Sequence, residues 1–153
     1  MRLTNRPLLI TIVSLILVLS LVMPCSASAV SNEEITPYAS NYLSLYSAYV
    51  YVTASGQVQV WFEVMGTGNM DEICSLRIVL YESSYNSNWS ILKTFLHEST
   101  SDMLFNDESY VSSHVSWSNG STSKYYKAYV CVWAGDNGSG DTRYFWTSAK
   151  KAT

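Results

Sequence analysis

Lys124-Tyr125-Tyr126-Lys127-Ala128-Tyr129-Val130-Cys131-Val132-Trp133-Ala134 alternates without a break. Tyr126, Ala128, Val130, Val132 and Ala134 share one face; Tyr125, Lys127, Tyr129, Cys131 and Trp133 share the other. A period of two is the mark of a strand, because successive side chains leave the pleat on opposite sides. One face is small and apolar and the other aromatic and polar, which suits a strand with a single side on the core.

The same period extends outward in both directions. Asp136 to Asp141 is a Gly/Asn/Asp loop and Thr142 to Thr147 a further strand. Upstream, Tyr42 to Val52 reads as the first strand, and Thr53-Ala54-Ser55-Gly56 as a hairpin turn. Gln57 to Val64 follows, with Val58, Val60, Phe62 and Val64 inward and Gln57, Gln59, Trp61 and Glu63 outward. Gly66-Thr67-Gly68-Asn69 reads as a loop. Leu76, Ile78 and Leu80 mark a third strand, Trp89 to Leu96 a fourth, and Val111, Ser113, Val115 and Trp117 a fifth. Glu98 to Ser109 is polar, with Met103, Leu104 and Phe105 tucked against the body. No amphipathic helix and no internal repeat occurs. Short strands separated by turn signals predict an all-β fold, a seven-stranded antiparallel two-sheet sandwich over residues 42–148.

The N-terminus belongs to another class. Arg2 and Arg6 precede an apolar run from Leu8 to Met23, Pro24 ends it, and Ala27-Ser28-Ala29 supplies the small residues of a processing site. The run is shorter than a bilayer span needs, so residues 1–29 are expected to be a signal peptide cleaved after Ala29. The product is expected to be secreted without a membrane anchor. Residues 30–41 read as a linker and 149–153 as a C-terminal tail. Of 153 residues, 124 remain after that cut, with 7 basic and 12 acidic side chains and a net charge of −5. All 21 aromatic residues lie in this part, as do 21 Ser, 9 Thr and 8 Asn. An acidic chain of low charge excludes a basic nucleic-acid binder and a charge-rich disordered tail. A monomer is expected.

Two resemblances follow from these residues. The seven strands ending in Tyr126-Lys127-Ala128-Tyr129-Val130-Cys131-Val132-Trp133-Ala134 and a Gly/Asn hairpin resemble the last two strands of fibronectin type III and related immunoglobulin-like domains. That family carries an inward Trp on its second strand, whereas here Trp61 alternates with Gln57 and Gln59 on the outward face. The stretch Tyr125 to Gly135, with Gly140-Asp141-Thr142-Arg143-Tyr144 and Trp146-Thr147-Ser148-Ala149-Lys150-Lys151, is similar to short secreted proteins of Gram-positive gut bacteria, a family of unknown function. That resemblance implies an exported bacterial protein and no particular activity.

Catalytic signals are sparse. No G-x-S-x-G elbow occurs, and Glu63, Asp71, Glu72 and Glu82 are scattered near strand ends rather than paired as a glycosidase needs. His97 and His114 could meet Glu98, Asp102 or Asp107 around a metal, but no ligand spacing supports this; no metal and no cofactor are expected. The Asp136–Asp141 loop has the composition of a calcium loop but lacks the terminal Glu, and its Asn and Gly are what a hairpin requires. Three N-x-S sequons begin at Asn88, Asn119 and Asn137, and matter only in a eukaryotic secretory pathway. Cys74 and Cys131 are a candidate disulfide in an exported chain. Strict alternation puts them on opposite faces; a bulge near Cys74 would reverse that, and two packed free thiols are the alternative.

The outward aromatics are the main functional signal. Tyr125, Tyr129 and Trp133 share a face, and Tyr81 and Tyr144 (or Phe145) lie on strands expected to adjoin them. Such rings can form a platform for sugar C–H faces or apolar side chains, with hydroxyl and indole groups left to hydrogen-bond. The alternative is cross-strand pairing that only stabilises the sheet. The expected function is a non-catalytic binding module for neutral carbohydrate or a cell-surface polymer. A secreted effector or bacteriocin-like protein acting by protein or membrane contact is the second reading, although no basic amphipathic segment supports it.

Overall fold

The computed structural model describes residues 40–153. The expected signal peptide, its cleavage point after Ala29 and most of the linker lie outside the described residues. The chain forms β1 (Leu43–Val52), β2 (Val58–Ser83), β3 (Ser90–Leu96), β4 (Leu104–Trp117), β5 (Tyr125–Asp136), β6 (Ser139–Trp146) and β7 (Lys150–Lys151). Among the described residues there is no helix. Every strand pairing is antiparallel, and all seven strands join one hydrogen-bonded sheet in which β2 is central.

β2 unites the expected second and third strands. Its first half pairs with β1 on one side and the end of β4 on the other. Its second half pairs with β5 on the first side and with β3 and the start of β4 on the second. The change of partners falls at Gly66–Asn69, read from sequence as a loop. Here the register jumps from Met65 opposite Tyr110 to Met70 opposite Glu108, an irregularity of the kind that bends and twists a strand. Met70 folds back over Gly66, where a β-carbon would lie 2.6 Å from its Cγ. Glycine therefore permits the bend.

The predicted inward face of β5 is the centre of the core. Tyr126, Ala128, Val130, Val132 and Ala134 are fully buried. They share one apolar cluster with Val58, Val60, Phe62 and Val64 of the first half of β2 and with Ile73, Ile78 and Leu80 of the second. Each such Val, Leu, Ile or Phe contributes about 1.5–3 kcal/mol on burial. Tyr46 of β1 and Phe145 of β6 do not belong to paired strands, yet their rings lie 5.1 Å apart across this cluster.

Two ends of the fold are tighter than expected. The Asp136–Asp141 loop shrinks to Asn137-Gly138, with φ of 51° and 75°, closed by Asp136 opposite Ser139. Positive φ at both residues is the two-residue turn that matches strand twist. In the segment read as a tail, Lys150 and Lys151 pair with Tyr126 and Tyr125, and Ala152 is buried.

Asp141 ties the start of β1 to β6. Its Oδ2 accepts from the Ser40 hydroxyl at 2.5 Å and from the Asn41 and Tyr42 amides at 3.1 and 3.2 Å. These donors, the Ser40 hydroxyl first, hold its carboxyl below the ordinary range. A depressed folded-state value means the stabilisation is complete above the ordinary carboxyl range and is lost as pH falls through the folded one. Asp141→Asn should therefore lower the urea midpoint at pH 6, and the gap to the parent should close as pH is lowered below about 4. A gap independent of pH would refute the assignment.

Candidate functional site

The outward face of β2 (second half), β5 and β6 gathers most of the aromatic residues selected from sequence. Register sets the rows. Arg77, Cys131 and Tyr144 stand side by side, then Val79, Tyr129 and Trp146, then Tyr81 and Lys127, then Ser83, Tyr125 and Lys151. Tyr129 is the hub: its ring centroid lies 6.1 Å from that of Tyr144, nearly parallel, and 4.9 Å from that of Trp146, tilted by 42°. Tyr81 meets Trp146 at 5.1 Å. Tyr144 and Trp146 are 56% and 50% exposed, so the cluster is open to solvent along β6. Phe145, the alternative to Tyr144, instead points to the core.

A cation is built into this face. The Lys127 Nζ lies 4.3 Å from the Trp146 ring centroid and 4.5 Å from that of Trp89. The ammonium sits between two indoles, within the range where the ring quadrupole attracts a cation. Tyr125 lies one row farther along, with the Lys151 Nζ 5.6 Å from its ring centroid. Sequence reasoning missed Trp146 and Trp89. Trp146 shares the parity of Tyr144 two residues earlier, so alternation alone could have found it. Trp89 precedes β3 and joins the cluster only through tertiary placement.

Trp133 stands apart from the cluster. Its indole lies over Gly135 and Gly140 and would collide with a β-carbon at either. It lines a small hollow of about 190 Å³ with Asp71, Glu72 and Asp136. The Asn137 amide donates to Asp71 Oδ2 at 2.7 Å across this end.

The candidate disulfide is not formed: Cys74 and Cys131 are free and buried. The register shift between Ser75 and Arg77 is a bulge that brings Cys74 onto the outward face, opposite Trp133, while Cys131 stands opposite Arg77. The two thiols thus occupy diagonal positions, typically about 7–8 Å apart between backbones, beyond ordinary disulfide reach. Burial is the main cause that pushes the Cys74 thiol up to about 12 and raises that of Cys131.

The first half of β2 carries a second aromatic row. Tyr49, Trp61 and His114 are in register on β1, β2 and β4. The Trp61 ring is parallel to Tyr49 at 6.3 Å and stacks on His114 at 4.4 Å, while its Nε1 donates to Gln59 Oε1 at 3.1 Å. Both faces of this indole are occupied by neighbours, which leaves little of it for a ligand. Trp61 is outward, as the alternation required.

The remaining candidates disperse. His97 Nδ1 lies 3.1 Å from the Leu76 carbonyl, on a different strand end from the stacked His114. The Ser113 hydroxyl donates to the Asp102 carbonyl at 2.8 Å. Among the described residues no three His, Cys, Asp or Glu side chains gather as metal ligands. The chain matches no family model and no curated protein.

Proposed function

We propose that this chain is an exported bacterial binding module, a non-catalytic monomer that holds carbohydrate or a cell-surface polymer on its outward aromatic face. The observation that carries this reading is the contiguous row of Tyr81, Tyr129, Trp146 and Tyr144, two of whose rings are half-exposed. Flat rings offer dispersion and C–H contacts to sugar faces, and tyrosine hydroxyls add hydrogen bonds without a desolvated charge. Tyr, Ser and Asn dominate the exposed chemistry, a composition shared by recognition surfaces. The expected signal sequence and the similarity to short secreted proteins of Gram-positive bacteria support export.

The scaffold is proposed to be a sandwich of the fibronectin type III or immunoglobulin-like kind. One group, β1, the first half of β2, and β4, corresponds in order to strands A, B and E of that plan. The other, β3, the second half of β2, β5 and β6, corresponds to C′, C, F and G. The shared core and the Tyr46–Phe145 contact suit two facing layers. Tyr126, at the start of β5, bonds back to Ser121, as the tyrosine corner of such domains does. The departure is that B and C run on as one strand.

Retention on a panel of immobilised neutral and acidic polysaccharides tests the reading. The mature protein should bind at least one polymer. Tyr129→Ala with Trp146→Ala should weaken that binding by about 30-fold, the usual cost of removing a central aromatic anchor. Unchanged binding by a folded double variant would discard this face. A parent protein that binds no member of the panel would discard the reading.

A further inference from the structure

We infer that the ligand of the aromatic face is an acidic polysaccharide, its carboxylates taken by Lys127 and Arg77. This rests on the reading of that face as a sugar platform and narrows it, replacing the neutral carbohydrate expected from sequence.

Charge distribution carries the inference. Residues 30–153 hold 12 acidic and 7 basic side chains. Yet the four rows from Arg77 to Ser83, with their partners on β3, β5, β6 and β7, contain Arg77, Lys127 and Lys151 and no carboxylate. Three acids on the flanking parts of β2 are engaged elsewhere. Glu82 pairs with Lys124 at 2.7 Å, and Asp71 and Glu72 lie beyond Trp133 in the hollow at the far end. Lys124–Glu82 is the one salt bridge among the described residues. Among the described residues, the charge of Lys127 is therefore met only by two ring faces. Those rings hold the ammonium in place but do not neutralise it, so a carboxylate reaching its open side gains a charge-assisted hydrogen bond. Arg77 is exposed and adds a planar fork suited to a carboxylate.

Spacing then points to a polymer. Arg77 stands opposite Cys131, four residues along β5 from Lys127, a separation of about 13 Å at the rise of a strand. Tyr129, Tyr144 and Trp146 fill the interval. Sugars stacked on these rings, with acid groups reaching a cation at each end, would use every part of the face. A single sugar would not span it.

Calorimetric titration of the mature protein with polygalacturonate tests this, against its fully methyl-esterified form, a neutral glucan and polyphosphate. Polygalacturonate should bind most tightly, and esterification should weaken it about tenfold, the scale of one charged hydrogen bond. Lys127→Gln should cost a similar factor with polygalacturonate and little with the ester, while Lys127→Arg retains binding. Arg77→Gln, at an exposed position, gives the same readout if Lys127→Gln fails to fold. Equal affinity for acid, ester and glucan, all lost in Tyr129→Ala, would overturn the acidic ligand and leave the sugar platform standing. Preference for polyphosphate would overturn the inference in favour of a bare charge site. Binding to none of the four would remove the inference and count against the platform itself.

Discussion

Gly140→Ala is expected to lower stability by about 2–4 kcal/mol, the range of a serious overpacking error. Gly140 opposes Gly135 on the β5–β6 ladder, and the Trp133 indole lies against both. A β-carbon on Gly140 would overlap the ring and stand 2.6 Å from the Ala134 carbonyl oxygen. The ring can move only by leaving its glycine bed, and the carbonyl is part of the sheet. Urea denaturation measures the loss, and a double-mutant cycle assigns it. Trp133→Ala should restore part of the stability in the Gly140→Ala background; the backbone contact keeps the rescue incomplete. Gly138→Ala is the control. It has no atom within 4 Å of the new carbon but a φ of 75°, so it should cost about 1 kcal/mol from backbone conformation alone and be indifferent to Trp133. Additive losses for Gly140 and Trp133 would show that the indole is not seated as described.

The same region shows what was legible in the residues. Alternation over 124–134 identified all five inward side chains of β5, because a strand in the middle of a core obeys strict parity. Asn137-Gly138 was legible as a turn, but its length was not, since Gly140 also looked like loop material. That glycine is instead a strand position kept bare for Trp133. Trp133 itself was grouped with the ligand rings on parity, and parity cannot distinguish a side chain lying on glycines from one facing a ligand. Cys74 was harder still. Its face depends on the bulge between Ser75 and Arg77, and one extra residue reverses every assignment upstream of it. Gly66–Asn69 misled for a related reason: the composition of a loop also serves a strand that must bend. Lys127 was placed on the right face, but its seat between Trp89 and Trp146 needs β3 and β6 to converge from either side of it. Pairing over such distances in the chain is set by the whole core rather than by local pattern.

Tyr126→Phe is expected to cost about 2 kcal/mol while leaving polymer binding intact. Tyr126 is fully buried on the inward face of β5. Its hydroxyl accepts from the Ser121 amide at 2.6 Å and donates to the Ser121 carbonyl at 3.0 Å. Phenylalanine keeps the packing and removes both bonds, so the half-buried Ser121 amide loses its partner while the Ser121 carbonyl keeps the Lys124 amide at 3.3 Å; a polar group left unmet costs about 1–3 kcal/mol. Relaxation of the turn is restricted because Gly120 is pressed against Gly56 in the β1–β2 hairpin, where a β-carbon on Gly56 would stand 2.9 Å from the Gly120 oxygen. The hydroxyl thus fastens the turn that leads into β5, on the face of β5 opposite Tyr129. Loss of stability should appear as a lower urea midpoint, with faster amide exchange at Ser121 to Lys124. Affinity for the bound polymer, measured well below the unfolding transition, should stay within twofold. A midpoint unchanged from the parent would mean that the turn is held by other contacts. A parallel fall in affinity would mean that the core and outward faces of β5 are coupled, and that the platform depends on the anchoring of this strand as well as on its own rings.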